Sequence, residues 1–183
     1  MQTEQTPLQD CYIINDTVFT DSRGYFFESF NAKKFESLTG ISVQFVQDNQ
    51  SASTRGVLRG LHMQTKENAQ AKLVRVLEGS VLDIAVDLRK YSSTFGKWFS
   101  IELTGENHKQ LYIPRGFAHG FVVLSSKAVF FYKCDNFYNA ASELGIMYDD
   151  PDLKIDWMLS KDDLILSEKD KKNAYLADIL HLI

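Results

Sequence analysis

The sequence lacks the features that mark exported, membrane-spanning and nucleic-acid-binding proteins. It has no run of about 18 apolar residues, and no cationic stretch followed by an apolar one at its start. Lys and Arg number 20 against 24 Asp and Glu, so the formal net charge is −4 and no basic excess is available to neutralise phosphates. We therefore expect a cytoplasmic protein with neither a nucleic-acid nor a membrane partner.

Cysteine is also scarce. The chain has two cysteines, Cys11 and Cys134, which lie far apart and form no CxxC pair. A role as reduced, small apolar residues is therefore favoured over a disulfide or a metal site.

Aromatic residues, in contrast, are plentiful, and they occur in short β-prone segments bounded by turns. The chain has 13 Phe and 8 Tyr. Many short strands with tight turns indicate a sandwich or a barrel. No repeat, low-complexity tract or linker divides the 183 residues, so we predict one domain over 1–183. The β-prone segments are CYIINDTVFTDSRG, YFFESF, VQFVQDN, KLVRVLEGSVLDIAVDL, KWFSIELTGEN, KQLYIPRG, HGFVVLSS and AVFFYKCDNFY.

The segment KLVRVLEGSVLDIAVDL holds two alternating runs separated by Glu78 and Gly79, which predicts a hairpin with one buried side. The buried face of the second strand would consist of Leu82, Ile84, Val86 and Leu88.

Two segments have helical patterns, AKKFESLTG (32–40) and the tail from residue 167. The tail opens with SEKD, which has the form of a capping box, and continues with an apolar stripe of Leu176, Ile179 and Leu180.

Alternation also predicts which polar side chains point into the protein. It places Lys72 on the same face as Val74 and Val76, and Tyr132 on the same face as Phe130. Polar tips among apolar neighbours indicate a lined cavity.

A lone histidine, His62, lies in the strand-like run GVLRGLHMQ. Alternation groups it with Gly60 and Gln64 and sends Arg59 to the opposite face, unless Gly60 marks a bulge. A metal site is disfavoured because position 64 is Gln and His119 is the one other histidine in a motif that could supply a ligand. Taken by itself, His62 is more often a hydrogen-bonded structural histidine than a catalytic base.

A series of short motifs makes a more specific interpretation possible. They are DSRGYFFES (21–29), VQDNQSAS (46–53), VLRGLH (57–62), AQAKLVRVLEGSVLDIAVDLR (69–89), STFGKW (93–98), IPRGFAHGF (113–121), YKCDNFY (132–138), DPDLKIDW (150–157) and LSEKD (166–170). With these motifs in this order, the chain resembles the dTDP-4-dehydrorhamnose 3,5-epimerase family, the non-metal sugar-nucleotide epimerases of the cupin superfamily. The resemblance implies an all-β fold, a cupin-type jelly-roll β barrel with short peripheral helices and a C-terminal helix. It also implies a homodimer in which the strands nearest the N-terminus complete the neighbour's sheet and site.

The reaction that the resemblance implies is the inversion of C3 and C5 of a dTDP-linked 4-keto-6-deoxy-hexose, which gives dTDP-4-keto-L-rhamnose for dTDP-L-rhamnose biosynthesis. Both carbons adjoin the C4 ketone, so each proton can be removed to leave an enolate. Such a reaction needs a base on one face of the sugar, a stabiliser of the enolate oxygen and an acid on the other face. No metal or organic cofactor is chemically required.

The resemblance assigns four catalytic roles. His62 matches the base by position, and a neutral imidazole suits this role, because its ordinary pKa of about 6.5 leaves most of it unprotonated at pH 7. Asp170 matches the carboxylate that orients this imidazole, with membership of the capping box as its alternative role. Tyr132 matches the acid, since a phenol of pKa about 10 is protonated near neutrality, and its alternative is a core tyrosine. Lys72 matches the cation beside the C4 oxygen, and its alternative role is that of an exposed strand lysine.

A nucleotide site is implied as well. Arg23, Arg59 and Lys169 match phosphate-contacting or sugar-contacting positions, where guanidinium groups form paired hydrogen bonds with phosphate oxygens. The alternative role for each of these three residues is that of an ordinary charged surface residue. The other implied binding residues, which would hold the thymine or ribose or form walls, are Phe26, Glu28, Gln47, Asn49, His119, Tyr138 and Glu143.

Position 63 departs from the family pattern, because Met stands where an aromatic residue commonly follows the catalytic histidine, and this change could reshape the sugar pocket. Three other functions stay open: a single-centre C3 or C5 epimerase, a 3,4-ketoisomerase on a related dTDP-4-keto sugar, and a non-catalytic carbohydrate-binding jelly roll. The presence of both His62 and Tyr132 favours the two-centre reaction.

Overall fold

Antiparallel β-strands form most of the regular structure in the computed structural model, which describes residues 1–183. The strands are β1 (Gln2–Gln5), β2 (Tyr12–Asn15), β3 (Phe19–Asp21), β4 (Gly24–Phe26), β5 (Gln47–Thr54), β6 (Leu58–Gln64), β7 (Lys72–Glu78), β8 (Ser80–Asp87), β9 (Trp98–Thr104), β10 (Lys109–Ile113), β11 (Phe117–Val123), β12 (Lys127–Cys134) and β13 (Glu143–Gly145). The α-helices are α1 (Ala32–Thr39) and α2 (Leu176–Ile179), and short 3-10 turns lie at Lys66–Asn68, Ala140–Ser142, Lys161–Asp163, Asp170–Lys172 and Leu180–Leu182.

The strands divide into two main sheets and a separate hairpin. One sheet has six strands in the order β1-β2-β10-β7-β12-β5, and the other has five in the order β13-β6-β11-β8-β9. Strands β3 and β4 pair only with each other. This arrangement agrees with the two-layered β-fold expected from the short strands and turns.

The main core fills the space between the two sheets. Val74 and Val76 of β7 and Phe130 of β12 meet Ala85 of β8 and Phe121 of β11 there, and all five are buried. The rings of Phe121 and Phe130 stack with centroids 4.1 Å apart. The face patterns predicted for β7 and β12 are therefore confirmed, and they fix which side chains of these strands point inward.

A second core covers the outer face of the five-stranded sheet. The predicted stripe of Leu82, Ile84, Val86 and Leu88 packs there against segments that follow β13. Trp98 and Trp157 stabilise this layer, because their indole N–H groups donate to the Leu153 and Tyr148 carbonyls, both at 2.8 Å.

The predicted hairpin at Glu78 and Gly79 is wrong. Strands β7 and β8 lie in different sheets, where β7 pairs with β10 and β12 while β8 pairs with β9 and β11. Gly79 has a φ of 78° and turns the chain from one sheet to the other. Nor does β8 have a single buried side, since Val81 and Ala85 pack in the main core while the opposite face packs in the outer one. The local sequence pattern, a tight turn between two alternating runs, is the same whether the two strands pair as a hairpin or cross between sheets.

The helical segments are short. Helix α1 occupies the predicted region, with the Asn31 side chain accepting a hydrogen bond from the Lys34 N–H and Gly40 in a left-handed conformation at its end. The tail forms single turns in place of one continuous helix, with Leu176 and Ile179 buried and Leu180 38% exposed. Neither α1 nor α2 has the length and apolar character that a bilayer-spanning helix needs.

A bulge in β6 decides the orientation of the segment around His62. His119 of β11 pairs with His62 and Phe121 pairs with Arg59, so three residue steps on β6 oppose two on β11. Gly60 lies within this interval and has a φ of 119°. The bulge brings Arg59 to the same side as His62, which simple alternation would have prevented.

Gly60 is predicted to be essential for this geometry. In Gly60→Ala, the new Cβ would lie 2.7 Å from both Gly120 Cα and the His119 carbonyl oxygen. We expect a loss of about 1–3 kcal/mol from the backbone conformation and about 1–3 kcal/mol more from overpacking, measured by urea unfolding. Gly96→Ala is the control, since Gly96 has a φ of 72° but no atom within 4 Å of its added Cβ, so it should lose the backbone contribution alone. Equal losses in the two variants would contradict this account of the bulge.

Candidate active site

A cavity of about 600 Å³ opens into the space between the two sheets. A smaller cavity of about 250 Å³ adjoins it, and the two share the side chains of Asn49, His62, Lys72 and Tyr132. The large cavity is lined by Asn49, Gln50, Ser51, Val57, Leu58, Arg59, His62, Lys72, His119, Phe121, Phe130, Tyr132, Ile165, Leu166, Ser167, Lys169 and Asp170.

His62 and Asp170 are in direct contact, although they are 108 positions apart in sequence. The His62 Nε2 lies 2.5 Å from the Asp170 Oδ1, and the exposed fractions of the two side chains are 28% and 4%. Burial would raise the pKa of Asp170, but hydrogen bonding to His62 and the charge of His62 outweigh it, and the pKa lies below its ordinary value. The carboxylate is therefore ionised and accepts a hydrogen bond from the Nε2–H group. The other ring nitrogen of His62 is then free to take up a proton.

The capping role of Asp170 coexists with this contact. The Ser167 hydroxyl accepts a hydrogen bond from the Asp170 N–H at 3.0 Å and donates to the Asp170 Oδ2 at 2.9 Å. The first bond is the half of the capping box that the SEKD pattern predicts. Because Ser167 binds one carboxylate oxygen, the other is directed at His62. Asp170 is therefore both a member of the capping box and the partner of His62.

Lys72 and Tyr132 face His62 from the six-stranded sheet. The Lys72 Nζ lies 5.9 Å from the centre of the Tyr132 ring. Burial lowers the pKa of Lys72 below its ordinary value, which the negative charges of Asp83 and Glu143 oppose. Burial raises the pKa of Tyr132 above its ordinary value of 10.0, so its phenol stays protonated at neutral pH. The cavity thus has an imidazole on one wall and a phenol with an ammonium group on the other.

His119 is also paired with a carboxylate. Its Nε2 lies 2.9 Å from the Asp83 Oδ2, and the side chains are 7% and 0% exposed. No group of three or more His, Cys, Asp or Glu side chains is arranged to hold a metal ion. His62 and His119 are paired neighbours on β6 and β11, and each forms a hydrogen bond with an aspartate.

The entrance holds a network around Glu143. The Glu143 Oε2 accepts hydrogen bonds from the Tyr138 hydroxyl at 2.7 Å and from the Lys169 Nζ at 2.5 Å. Burial would raise the pKa of Glu143, but the bonds from Lys169 and Tyr138 lower it below its ordinary value. Three of the predicted binding residues are therefore in mutual contact at the edge of the cavities.

Other predicted binding residues lie along the polar wall. The Gln47 amide donates to the Asn49 Oδ1 at 3.0 Å, and its own oxygen accepts from the Tyr138 N–H at 3.1 Å. The Arg59 guanidinium donates to the Ser53 hydroxyl through Nε and NH2, both at 3.2 Å, and its side chain lines the large cavity.

Three predicted residues reach neither of the two adjoining cavities within one chain. Arg23 pairs with Asp21 on the exposed hairpin of β3 and β4, and Phe26 is 71% exposed on the same hairpin. Glu28 pairs with Lys34 of α1 at 2.8 Å. A second, surface pocket includes both Arg23 and Phe26, but none of the residues that line the large cavity.

The residue patterns had not singled out Asp83 or the apolar wall residue Phe121, and they had identified Ser167 only as part of the SEKD capping box. A signal for Asp83 was present, because it is a charged residue within the otherwise apolar run VLDIAV. The Met63 side chain is 4% exposed, packs in the outer core and, of the two adjoining cavities, lines only the smaller one.

The lowered pKa of Asp170 predicts a specific pH dependence of stability. The unfolded state binds more protons as pH falls below the ordinary value of 3.8, so the contribution of Asp170 is complete above that value and is lost at more acidic pH. Asp170→Asn should therefore lose roughly 1.5–3 kcal/mol of unfolding free energy at neutral pH, and the difference from wild type should shrink below pH 3.8. Chemical denaturation at several pH values measures this.

Asp149→Asn, at a surface ion pair with Lys161, should change stability by about 1 kcal/mol or less. A difference that is constant down to strongly acidic pH would contradict the assigned ion pair.

Comparisons with known proteins extend over the whole chain. The model of the dTDP-4-dehydrorhamnose 3,5-epimerase family matches residues 5–178. The dTDP-4-dehydrorhamnose 3,5-epimerase of Shigella flexneri is 49% identical over 183 residues, which is 100% of both chains. The crystal structure of dTDP-4-dehydrorhamnose 3,5-epimerase from Elizabethkingia anophelis is 60% identical, with a TM-score of 0.95 and 97% of each chain covered. The dTDP-6-deoxy-D-glucose-3,5-epimerase of Legionella pneumophila, solved in complex with dTDP-4-keto-L-rhamnose, is 49% identical, with a TM-score of 0.92 over 100% of this chain and 94% of that one. These structural neighbours are cupin-type jelly rolls, which confirms the expected fold class.

Proposed function

The chain belongs to the dTDP-4-dehydrorhamnose 3,5-epimerase family and is a sugar-nucleotide epimerase, and we propose that His62 and Tyr132 perform its proton transfers. The substrate is a dTDP-4-keto-6-deoxy-hexose, inverted at C3 and C5 to give dTDP-4-keto-L-rhamnose in dTDP-L-rhamnose biosynthesis. The observation that carries the assignment of residues is the placement of His62 and Tyr132 on opposite sheets of one cavity.

The first step is removal of a proton beside the C4 ketone by the free nitrogen of His62. The carbon–hydrogen bond breaks, its electron pair forms the enolate, and His62 becomes an imidazolium. Asp170 stabilises this cation, because its ionised oxygen is 2.5 Å from Nε2 and is buried away from competing water. The carboxylate acts through the imidazole and does not touch the sugar, so it is a positioning residue.

Lys72 stabilises the enolate in this proposal. Its ammonium group lies inside a partly apolar cavity, where charge interactions are stronger than in water. The negative charges of Asp83 and Glu143 favour the protonated form of Lys72, against the effect of burial. In its protonated form, Lys72 would meet the negative charge that develops on the C4 oxygen.

Inversion requires that the proton return to the opposite face. Tyr132 is protonated at neutral pH and approaches from the sheet opposite His62, so it donates to the enolate carbon on the face that His62 does not reach. Epimerisation of each carbon then needs one proton removed by His62 and one delivered by Tyr132. Before the second carbon reacts, His62 releases its proton to solvent and the Tyr132 phenolate takes one up from solvent. The reaction needs no cofactor in this scheme.

The nucleotide is proposed to lie at the entrance, across the two adjoining cavities. Arg59 and Lys169 are the cations of this region and would contact the diphosphate. Tyr138, which is 54% exposed, offers its ring to the thymine, while Gln47, Asn49 and Glu143 offer polar groups. His119 would contact the sugar.

We further propose a cytoplasmic homodimer in which each chain completes the site of its neighbour. Arg23 and Phe26 lie on an exposed hairpin away from the cavity of their own chain, and Phe19, Tyr25 and Phe26 are each at least 60% exposed there. An apolar surface of this kind on a small hairpin is typical of a protein interface. In the dimer, Arg23, Phe26 and Glu28 would contribute to substrate binding in the partner.

The single-centre epimerase is the main alternative, and isotope exchange distinguishes it. In heavy water with dTDP-4-keto-6-deoxyglucose, the wild-type protein should incorporate deuterium at both C3 and C5 with inversion, located by NMR and mass spectrometry. His62→Ala should lose roughly 10²–10⁴-fold in rate, because no other base reaches the proton. Tyr132→Phe should still exchange protons through His62 but with retained configuration. Deuterium at one carbon would establish the single-centre reaction.

Two matched variants control this assay. His181→Ala and Tyr91→Phe change the same residue types at exposed positions outside the cavity and should leave the rate unchanged. Inversion by Tyr132→Phe at the wild-type rate would exclude Tyr132 as the acid. Absence of exchange by the folded wild-type protein would favour the non-catalytic alternative.

The shared site predicts rescue between two inactive variants. If Arg23 acts in the partner's site, a heterodimer of His62→Ala and Arg23→Ala contains one site with both wild-type residues. Co-refolded mixtures should recover about one quarter of wild-type activity, from statistical mixing of subunits, although each variant alone is impaired. Light scattering of the same samples measures the dimer. A dimer without any recovery would place Arg23 in the site of its own chain, whereas full activity of Arg23→Ala by itself would place Arg23 in no site.

A further inference from the structure

A carboxylate of unusual environment lies inside the barrel next to the proposed site. Asp83 shares the inner face of β8 with Val81 and Ala85, and its side chain is fully buried. Its Oδ2 contacts His119, but its Oδ1 is buried without a hydrogen-bond partner. Burying a carboxylate with one unpartnered oxygen costs free energy, so packing by itself gives no reason for an aspartate here.

The bond from His119 to Asp83 determines where the imidazole carries its hydrogen. When Asp83 is ionised, its Oδ2 can only accept a hydrogen bond, so the hydrogen between the two groups is on the Nε2 of His119. In a neutral imidazole the Nδ1 then has none and acts as an acceptor. Burial lowers the pKa of His119, and the positive charges of Lys72 and His62 lower it further, while Asp83 opposes them. The ring is therefore neutral at pH 7.

We propose that Asp83 is a positioning residue that holds His119 as the Nε2–H tautomer, so that Nδ1 accepts a hydrogen bond from a hydroxyl group of the sugar. His119 lines the large cavity directly opposite His62 in the pairing of β6 and β11. This inference rests on the proposed function, because the hydroxyl belongs to the proposed sugar substrate.

The two histidine–aspartate pairs would then have different tasks. His62 is 28% exposed and gains a proton during the reaction, whereas His119 is 7% exposed and stays neutral beside it. The His119 ring stacks at 6.0 Å on Phe130, which also restricts its orientation. An acceptor nitrogen at this position orients the sugar without placing a second cation beside His62.

The ionisable groups that act on Asp83 come from three elements. They are His119 on β11, Lys72 on β7 and Cys11 just before β2. Burial raises the pKa of the Cys11 thiol to about 12, so Cys11 is neutral at physiological pH. The negative charge of Asp83 favours the protonated form of Lys72, which burial disfavours.

The test reads the tautomer of His119 directly. In protein labelled with 15N-histidine, two-bond 1H–15N correlation spectra distinguish Nε2–H, Nδ1–H and imidazolium forms for each of the four histidines, and His119→Gln assigns the His119 signals. We expect the Nε2–H form in the wild type between about pH 6 and 8. In Asp83→Asn the amide can donate to Nε2, which should convert His119 at least in part to the Nδ1–H form. The same variant should lose roughly 10²-fold in kcat/KM.

Asp87→Asn is the matched control. Asp87 is also fully buried on the inner face of β8, but it bonds to Arg89, Ser92 and Thr94 rather than to a histidine. Its loss should change stability without changing the His119 spectrum.

Two results would overturn the proposal. One is a wild-type spectrum with the hydrogen on Nδ1 or on both nitrogens, which is informative even if Asp83→Asn does not fold. The other is a folded Asp83→Asn with wild-type kcat/KM. The spectrum of the free wild-type protein needs no substrate, so failure of the proposed function would appear in the isotope assay and not in the tautomer measurement.

Discussion

The hydrogen bond between His62 and Asp170 joins the end of the chain to a strand in the middle of the barrel, and the shape of the cavity depends on it. The segment that carries Asp170 also supplies Ile165, Leu166, Ser167 and Lys169 to the cavity wall. This segment has little regular structure of its own. Backbone hydrogen bonds of Ile165 with Gly56 and Leu58 hold it, together with the side-chain contacts of Ser167 and Asp170. The same bond fixes the orientation of the imidazole and closes one side of the cavity.

The interior of the barrel combines an apolar core with a small number of ionisable groups, and two histidines there each contact an aspartate. Asp170 is balanced by His62, while Asp83 acts on both Lys72 and His119. Separation from water strengthens these interactions and makes any unpaired charge costly. Carbanion chemistry beside a ketone benefits from this environment, because the groups that meet the new negative charge are held in position before it develops.

The two-sheet architecture provides the two faces that inversion requires. In the proposed mechanism, the base on the five-stranded sheet and the acid on the six-stranded sheet would approach a bound sugar from opposite sides without any large movement. The exposed hairpin of β3 and β4 suggests why a dimer would matter, since the hairpin carries predicted binding residues that the chain does not bring to its own cavity. Chemistry and substrate binding would thus depend on different parts of the assembly.

The sequence by itself determined the β-rich fold class, the inward faces of β7 and β12, the location of α1 and, through its ordered motifs, the family. These follow from alternation, capping residues and local composition, all of which act over a few residues. Only the tertiary structure decided that β7 and β8 cross between sheets, that the polar segment of β5 forms an edge strand, and that Gly60 bulges so that Arg59 joins His62. It also revealed Asp83, whose partner lies 36 positions away on another strand. These features depend on which distant strands pair and what each face buries, and a turn or an alternating run has the same local pattern in either case.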